Sequence, residues 1–286
     1  MNEILAVVVT YNRCGELKEC INALKSQTFE GFDILVVNNG STDGTKEYLD
    51  SESRLTVIHQ NNVGGAGGFY AGMKYMYDHG YEWLWLMDDD GVPASTQLEE
   101  LIKCKEESWY LNALVIDKDN HNQFAFKLHD SSFTPTIARQ QKILREFVHP
   151  FNGTLYKRDL IEKIGFIKRE MFIWGDEKEY TFRAIKAGVV PTTVTAAIHY
   201  HPTEKAVKKY SLPFCKFPYF EVLIKPIKLS HHYYRNLGFI DSTYRSNLQS
   251  LKLVLVHLFY FITRLKFTEC NKFIRYYLKG RKNCYD

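Results

Sequence analysis

The chain has 286 residues, 45% hydrophobic and 24% charged, which is enough to bury a sizeable core and too apolar for disorder or a fibre. The formal charge is +4, yet residues 245–286 hold nine Lys and Arg against two Asp and Glu, and the rest holds 28 against 31. An acidic body argues against a nucleic-acid binder, and six cysteines without a Cys-x-x-Cys pair argue against zinc and for a reducing compartment.

Ile4 to Val9, with three consecutive valines, is the apolar run of a strand buried on both faces. Leu17, Cys20, Ile21 and Leu24 fall at helical spacing within residues 16–26. Phe32–Val37 reads as a second strand, Thr42–Leu49 as a helix and Leu55–His59 as a third strand. Ala66–His79 reads as an aromatic-rich helix and Glu82–Met87 as a fourth strand. This alternation with short links predicts an α/β fold of right-handed βαβ units, with a mainly parallel central sheet flanked by helices. Pro93–Glu107 reads as a helix, and Tyr110–Ile116 and Gln123–Leu128 as strands. Residues 129–149 show no period and are expected to form a loop over a site. Phe151–Tyr156 reads as a strand, Arg158–Ile164 and Asp176–Ala187 as helices, and Val189–His201 as extended. After Pro202, prolines 213, 218 and 226 interrupt aromatic-rich sequence, and helices are expected to the end. The chain therefore reads as a domain of residues 1–202 followed by an aromatic- and basic-rich helical extension, 203–286.

Asp88-Asp89-Asp90 closes the fourth strand. Adjacent carboxylates repel, and a hard divalent cation sharing its shell with substrate phosphates is one reason to group them. A solvated acidic turn before Gly91 is the other. Residues 88 and 90 point the same way if the strand geometry continues. Ligands of open α/β sheets bind at the carboxyl ends of the strands, where Thr10-Tyr11-Asn12-Arg13 and residues 37–45 also lie. Turn chemistry and helix capping account for the same residue types. Residues 61–69, Asn-Asn-Val-Gly-Gly-Ala-Gly-Gly-Phe, form a glycine-rich turn opening a helix, suited to an anion at the backbone amides or to close helix packing. It is neither a dinucleotide fingerprint, since it does not follow the first strand, nor a P-loop, since no Gly-Lys-Ser/Thr follows. In Trp174-Gly175-Asp176-Glu177-Lys178-Glu179-Tyr180 the acidic groups suit the helix dipole, and a carboxylate there also suits proton abstraction from a hydroxyl. His199 and His201 share a face at the end of the last strand, as structural residues or as partners of Asp88 and Asp90 around a metal.

Taken in order, Val-Thr-Tyr-Asn-Arg, Asn-Asn-Gly-Ser-Thr-Asp-Gly-Thr, Asn-x-Gly-Gly-Ala-Gly-Gly-Phe, Asp-Asp-Asp and Asp-Glu-x-Glu-Tyr-x-x-Arg resemble the family 2 glycosyltransferases with a GT-A (Rossmann-like) fold, over residues 3–202. Within that family the chain is most similar to bacterial galactofuranosyltransferases and their rhamnosyltransferase relatives. The resemblance implies an inverting, divalent-metal-dependent hexosyltransferase. It would move a sugar, galactofuranose before rhamnose, from a nucleotide diphosphate (a UDP-sugar first) to a lipid-linked or cell-surface polysaccharide acceptor. It splits the domain into a nucleotide-sugar half, about 1–91, and an acceptor half, about 92–202. Thr10, Tyr11, Asn12 and Arg13 would line the nucleotide pocket. Asn38 would sit beside the base, where many members have Asp, leaving uridine or thymidine open. Asn62, Gly64, Gly65, Gly68 and Phe69 would join the donor site. Asp88 and Asp90 would anchor Mn²⁺ or Mg²⁺ on the diphosphate with His201, or His199 in the alternate register, and Asp89 would lie nearer the sugar. Glu177, with Asp176 in reserve, would be the base, and Trp174 and Arg235 would meet the acceptor. A sugar nucleotidyltransferase would carry a Gly- and Arg-rich loop after the first strand, and a non-catalytic binding subunit a broken metal motif. The sequence has neither.

Leu248, Leu251, Leu255, Leu258, Ile262 and Leu265 recur at three-and-four spacing, widened by Val254 and Phe261 and flanked by Lys252, Arg264 and Lys266. A basic amphipathic helix suits a membrane interface with anionic lipid; packing on the catalytic domain or on a second subunit of a homo-oligomer is the alternative. Residues 231–236, His-His-Tyr-Tyr-Arg-Asn, resemble a Tyr-Tyr…Arg-Asn segment of related enzymes, placed against a lipid diphosphate or at a domain junction. The N-terminus shows no secretory leader, and the longest apolar run, residues 253–262, is too short to span a membrane. The expected location is cytoplasmic, peripheral at the inner face of the plasma membrane.

Overall fold

The computed structural model describes residues 2–126, 132–149, 151–203, 208–210, 220–223 and 225–285. In chain order the elements are β1 Ile4–Thr10, α1 Cys14–Lys25, β2 Phe32–Asn38, α2 Thr45–Ser51, β3 Thr56–His59, α3 Gly64–Asp78, β4 Trp83–Asp88, β5 Val92–Pro93, α4 Gln97–Ile102, β6 Tyr110–Asp117, α5 Pro135–Ala138, β7 Ile143–Arg145, β8 Asn152–Lys157, α6 Arg158–Ile164, α7 Asp176–Lys186, β9 Thr192–His201, β10 Lys208–Tyr210, β11 Phe220–Val222, α8 Ser230–Tyr244, α9 Asn247–Thr263 and α10 Phe267–Arg281. They divide into two compact units, residues 1–169 with 180–204, and residues 170–179 with 205–286.

In the first unit the sheet runs β3-β2-β1-β4-β8-β6-β9-β5, with β7 also on β9. The first four strands are parallel, as the βαβ alternation predicts. Beyond β4 the sheet is mixed, because β8 runs antiparallel to both β4 and β6 while β6 and β9 are parallel. Strand β1 is buried on both faces, so its apolar run divides by parity. Ile4, Ala6 and Val8 pack with α1 and α4 residues on one side, and Leu5, Val7 and Val9 with α3 and α6 residues on the other. Leu17, Cys20, Ile21 and Leu24 form the buried stripe of α1, where each large apolar side chain contributes about 1.5–3 kcal/mol.

Three elements differ from expectation. The helix expected over 93–107 shortens to Gln97–Ile102, because Val92 and Pro93 are drawn into the sheet against Tyr200 and His199. Among the described residues of 123–128, Phe124 makes only an isolated bridge to Ile116; residues 127 and 128 lie outside the described set. Within 132–149 the expected loop holds α5, capped by Thr134 with Pro135 in its first turn, and β7, which pairs with β9.

In the second unit, α8, α9 and α10 enclose a core of Tyr234, Phe261, Phe273 and Tyr277. Ser246 and Gln249 form a reciprocal capping box that starts α9. Helices α8 and α10 touch backbone to backbone: a Cβ on Gly280 would stand 1.8 Å from the Arg235 carbonyl oxygen, and one on Gly238 2.1 Å from that of Tyr277. The leucine stripe of α9 and the turn after it faces outward except at Leu258, which with Val254 packs partly against that core. Leu248, Leu251, Leu255, Ile262 and Leu265 are exposed, whereas His257, Tyr260 and Phe261 are buried. Among the described residues no helix is long and apolar enough to cross a membrane.

Helix α3 lies against β1 through glycine. A Cβ on Gly68 would come within 2.4 Å of Val9 Cγ1, and one on Gly72 within 2.4 Å of Val7 Cγ1, whereas one on Gly65 meets nothing within 4 Å. Val is stiff at χ1 and cannot step aside cheaply. Gly68→Ala is therefore expected to cost about 1–3 kcal/mol, and Gly65→Ala to leave the thermal midpoint level or slightly raised. Calorimetric melting of both variants checks the pair; equal midpoints would contradict the contact.

Candidate active site

The ends of β1, β2 and β4 stand at one level, since the register pairs Thr10 with Asn38 and Val9 with Asp88. Strand β4 stops at Asp88 and the chain turns at 89 and 90, so Asp89 and Asp90 leave the strand toward different partners. Asp89 folds back onto the end of β1. Its Oδ2 accepts from Thr10 Oγ1 at 2.7 Å and from Tyr11 N at 3.3 Å, and its Oδ1 from Arg13 Nη1 at 3.1 Å. Asp90 meets the same Nη1 at 2.5 Å through Oδ2, and its Oδ1 lies 3.3 Å from His201 Nε2. The Nδ1 of His201 lies 2.7 Å from the Pro202 carbonyl oxygen. A carbonyl and a carboxylate only accept, so Nδ1 donates to Pro202 and Nε2 to Asp90.

His199 is enclosed instead. It is fully buried, its Nδ1 is 3.1 Å from Gln97 Oε1, and a Cβ on Gly91 would stand 2.1 Å from its Nε2. Of the two histidines the sequence offered, His201 is the one bonded to an aspartate of the triple.

Three carboxylates thus share one guanidinium and one imidazole. Burial first, and then the charges of Asp90 and Asp89, push the Asp88 carboxyl up to about 8. Burial resists ionisation of Asp90 too, but His201 and Arg13 hold it below the ordinary carboxylate range. Burial works against a charged His201, and Asp90 with Asp88 outweighs it and raises the imidazole. Hard oxygen donors on Asp88 and Asp90, a carboxyl on Asp88 that a cation would help to ionise, and an imidazole whose Nδ1 is held by Pro202 so that Nε2 is the nitrogen free to exchange its proton for a metal all fit a divalent cation such as Mn²⁺ or Mg²⁺. Among the described residues no three His, Cys, Asp or Glu side chains are grouped so as to hold a metal ion by themselves. The donors present fit a cation that takes further oxygens from a bound diphosphate.

The neighbouring loops interlock. Asn12, at φ 54°, accepts from Thr42 N at 2.7 Å, and its own amide donates to Ser41 Oγ at 2.9 Å. Asn38 is 2% exposed; its Oδ1 accepts from Ser41 N at 3.0 Å and its Nδ2 is 3.1 Å from His59 Nδ1. That amide makes Nδ1 of His59 an acceptor and puts its proton on Nε2, 3.1 Å from Asp50. Asn62 Oδ1 accepts from Gly64 N at 2.9 Å, at the positive-φ start of α3. Gly68 and Phe69 are packing positions, the latter with its ring centroid 4.6 Å from that of Phe151. Tyr11, 46% exposed, is the open side chain at the end of β1.

Trp174, Asp176, Glu177 and Arg235 belong to the second unit. The chain reaches α7 through Phe172 at φ 66°, Trp174 at φ 61° and Gly175 at φ 108°. Glu177 Oε2 accepts from Gly175 N at 3.0 Å, and Asp176 is buried. Arg235 turns inward: it is buried, donates to the Glu170 carbonyl at 2.9 Å and lies 4.4 Å from the Tyr285 ring centroid. The sequence reading missed Asn236, which is fully buried and donates to the carbonyls of Met171, Ile173 and Trp174. It stands in the flagged Arg-Asn pair, but positive backbone angles leave no periodicity to point at what it holds.

A model of glycosyl transferase family 2 matches residues 5–165, more than half of the chain. The chain is a family 2 glycosyltransferase. Galactofuranosyltransferase GlfT1 of Mycobacterium tuberculosis is 31% identical to this glycosyltransferase over 212 residues, 70% of each chain. The crystal structure of S. aureus TarS 1–349 covers 98% of this chain and 81% of its own at a TM-score of 0.64 and 15% identity. Mannosyltransferase PcManGT from Pyrobaculum calidifontis, in complex with GDP-Man and Mn²⁺, covers 85% of this chain and 63% of its own at a TM-score of 0.51 and 16% identity. These structural likenesses establish the GT-A fold.

The acidic cluster makes a pH-dependent contribution to stability. The Asp88 carboxyl titrates higher in the folded than in the unfolded chain. Its contribution is therefore fully present below the ordinary carboxylate range and is lost as pH rises toward about 8. In metal-free buffer the melting temperature of Asp88→Asn is expected to gain on that of the parent between pH 4 and pH 8. Parallel curves across that range would contradict the assignment.

Proposed function

We propose that this glycosyltransferase moves galactofuranose from UDP to a hydroxyl of a lipid-linked glycan, with inversion and with the help of a divalent metal. The observation that carries the reading is the Arg13–Asp90–His201 chain beside Asp88, whose carboxyl ionises only toward about 8, at the strand ends where α/β sheets bind ligands. The similarity to galactofuranosyltransferase GlfT1 supports the sugar, and the UDP complex of TarS supports the base.

In this reading Asp88, Asp90 and His201 Nε2 hold the metal. When bound, it supplies Lewis-acid neutralisation of the departing diphosphate. Asp89 keeps Thr10, Tyr11 and Arg13 in place around the nucleotide. Arg13, fixed by Asp89 and Asp90, supplies positive charge beside the diphosphate. Glu177 takes the proton of the acceptor hydroxyl as that oxygen attacks the anomeric carbon. The carbon–oxygen bond to the diphosphate breaks with its electron pair going to the nucleotide. One displacement inverts the configuration and needs no protein nucleophile.

The acceptor's lipid sets the place of work. The outward stripe of α9 continues into exposed Phe267, Ile274 and Leu278 of α10, with Lys252, Arg264, Lys266 and Arg275 exposed beside it. A second copy on this face would set those cations against their own copies, whereas an anionic lipid surface complements them. The surface is accordingly a peripheral membrane contact.

Nucleotide release from a panel of sugar donors, with Mn²⁺ or with EDTA, tests the chemistry. The expected result is metal-dependent release from UDP-galactofuranose alone; release from dTDP-rhamnose corrects the sugar, and none from any donor removes the reading. Glu177→Gln is expected to lower kcat by about 10²–10⁴-fold. For the surface, Leu251→Glu with Leu255→Glu is expected to abolish sedimentation with phosphatidylglycerol vesicles and leave UDP affinity unchanged. Retained sedimentation would exclude the stripe as the contact.

A further inference from the structure

The segment that delivers α7 is strained. Phe172 and Trp174 both sit in the left-handed region at φ 66° and 61°, which bulky side chains rarely enter and which persists only where surroundings enforce it. Those surroundings are one face of α8. His232 stacks on Phe172 with ring centroids 4.4 Å apart, Arg235 donates to the Glu170 carbonyl, and the two N–H groups of Asn236 are shared among three more. The spacing i, i+3, i+4 puts all three residues on one side of the helix. The Nδ2 of Asn236 lies 2.8 Å from the carbonyl oxygen of Met171, 3.0 Å from that of Ile173 and 2.9 Å from that of Trp174. Three acceptors also fix which way the amide faces, since a flipped Oδ1 would meet three carbonyl oxygens. A Cβ on Gly175 would lie 3.4 Å from Asn236 Cβ and 3.3 Å from Ile240 Cδ1, so the same face limits the next residue. Gly175 N in turn donates to Glu177 Oε2. The chain of contacts runs from Asn236 through the strained turn to the Glu177 carboxylate without a gap.

We propose that Asn236 is a positioning residue for the reaction: it imposes the turn at 171–175 and thereby fixes where Glu177 stands. The proposal rests on the reading of Glu177 as the base. It makes the helical extension part of the catalytic apparatus, separately from its outer apolar stripe. Substitution by aspartate keeps the size of the side chain and replaces the amide donor with a carboxylate facing three carbonyls, so the turn loses its clamp while α8 keeps its volume. Alanine removes the clamp without adding charge.

The test measures kcat, donor KM and UDP affinity for the parent, Asn236→Asp, Asn236→Ala, Glu177→Gln and Asp176→Asn in the full chain. Rates are expressed per UDP-binding site counted by titration calorimetry, so that unfolded protein does not enter. The expected result for both Asn236 variants is a kcat about 100-fold down, with donor KM and UDP affinity within about twofold and the acid limb of the kcat–pH profile displaced. A merely structural role would lower the number of UDP-binding sites and leave kcat per site and the pH limb where they were. That outcome, alongside an inactive Glu177→Gln, overturns the proposal while leaving the base in place. A fully active Glu177→Gln overturns the base reading and the proposal with it, and an inactive Asp176→Asn in that case transfers the base role to Asp176.

Discussion

The buried carboxylate of Asp89 is the tie on which the strand-end site depends. It is 4% exposed and takes bonds from Thr10, Tyr11 and Arg13, all beyond or at the end of β1. A buried carboxylate left without its hydrogen-bond partners is destabilising, by about 1–3 kcal/mol or more, so the end of β1 has little freedom to leave the end of β4. Arg13 is fixed by that tie, and its same nitrogen then reaches Asp90. Asp90 is thereby turned toward His201, whose other ring nitrogen is held by the Pro202 carbonyl. One buried acid thus sets the geometry of a second acid that stays partly open, and the third, Asp88, is held by burial and by its two neighbours in a carboxyl that ionises only toward about 8. The triple is a single device with divided labour: one residue for architecture, two for an electrostatic demand.

The same economy of space appears behind the site. Gly68 and Gly72 let α3 approach β1 more closely than any side chain allows, and that approach keeps the apolar parity of β1 closed on both sides. Glycine at the start of α3 is therefore explained twice, by the positive φ of Gly64 and by the packing of Gly68 and Gly72. Gly65, whose Cβ would meet nothing, is under neither constraint.

The parallel half of the sheet was legible in the sequence because strands buried on both faces write continuous apolar runs and their links carry turn residues. The mixed half was less so. Val92-Pro93 reads as the start of a helix, and only the antiparallel partner at His199 and Tyr200 makes it a strand. Motif order was enough to gather Thr10, Arg13, Asp89, Asp90 and His201, which the structure brings into one bonded chain. What each residue does within that chain was not legible. Asp89 and Asp90 are identical in the sequence, and only the turn after Asp88 sends one inward and the other toward His201. Arg235 reads as an acceptor residue and is buried under Tyr285, because the arginine stem and guanidinium face pack well on an aromatic ring. The leucine stripe of α9 was visible as a stripe, but periodicity alone does not say whether a stripe faces a core or solvent; Phe261, expected to widen the outer face, entered the core with Tyr260, and Val254 and Leu258 pack partly against it.

The two groups of polar residues are fixed by different physics, and this bears on how each could evolve. The strand-end residues inherit their places from sheet register, so a change of side chain at Asp88 or Asn38 leaves the backbone where it is. The turn at 171–175 has no ladder to hold it. Its left-handed aromatic residues persist only while His232, Arg235 and Asn236 supply the missing constraint. Helix α8 is itself seated by the glycine contact with α10, where any Cβ on Gly280 would strike the Arg235 carbonyl. The constraint on the turn is therefore only as firm as the packing of α8 against α10, and a substitution at Gly280, far along the chain and with no polar group of its own, bears on the start of α7. The three terminal helices are required for that reason even before their outer face meets anything.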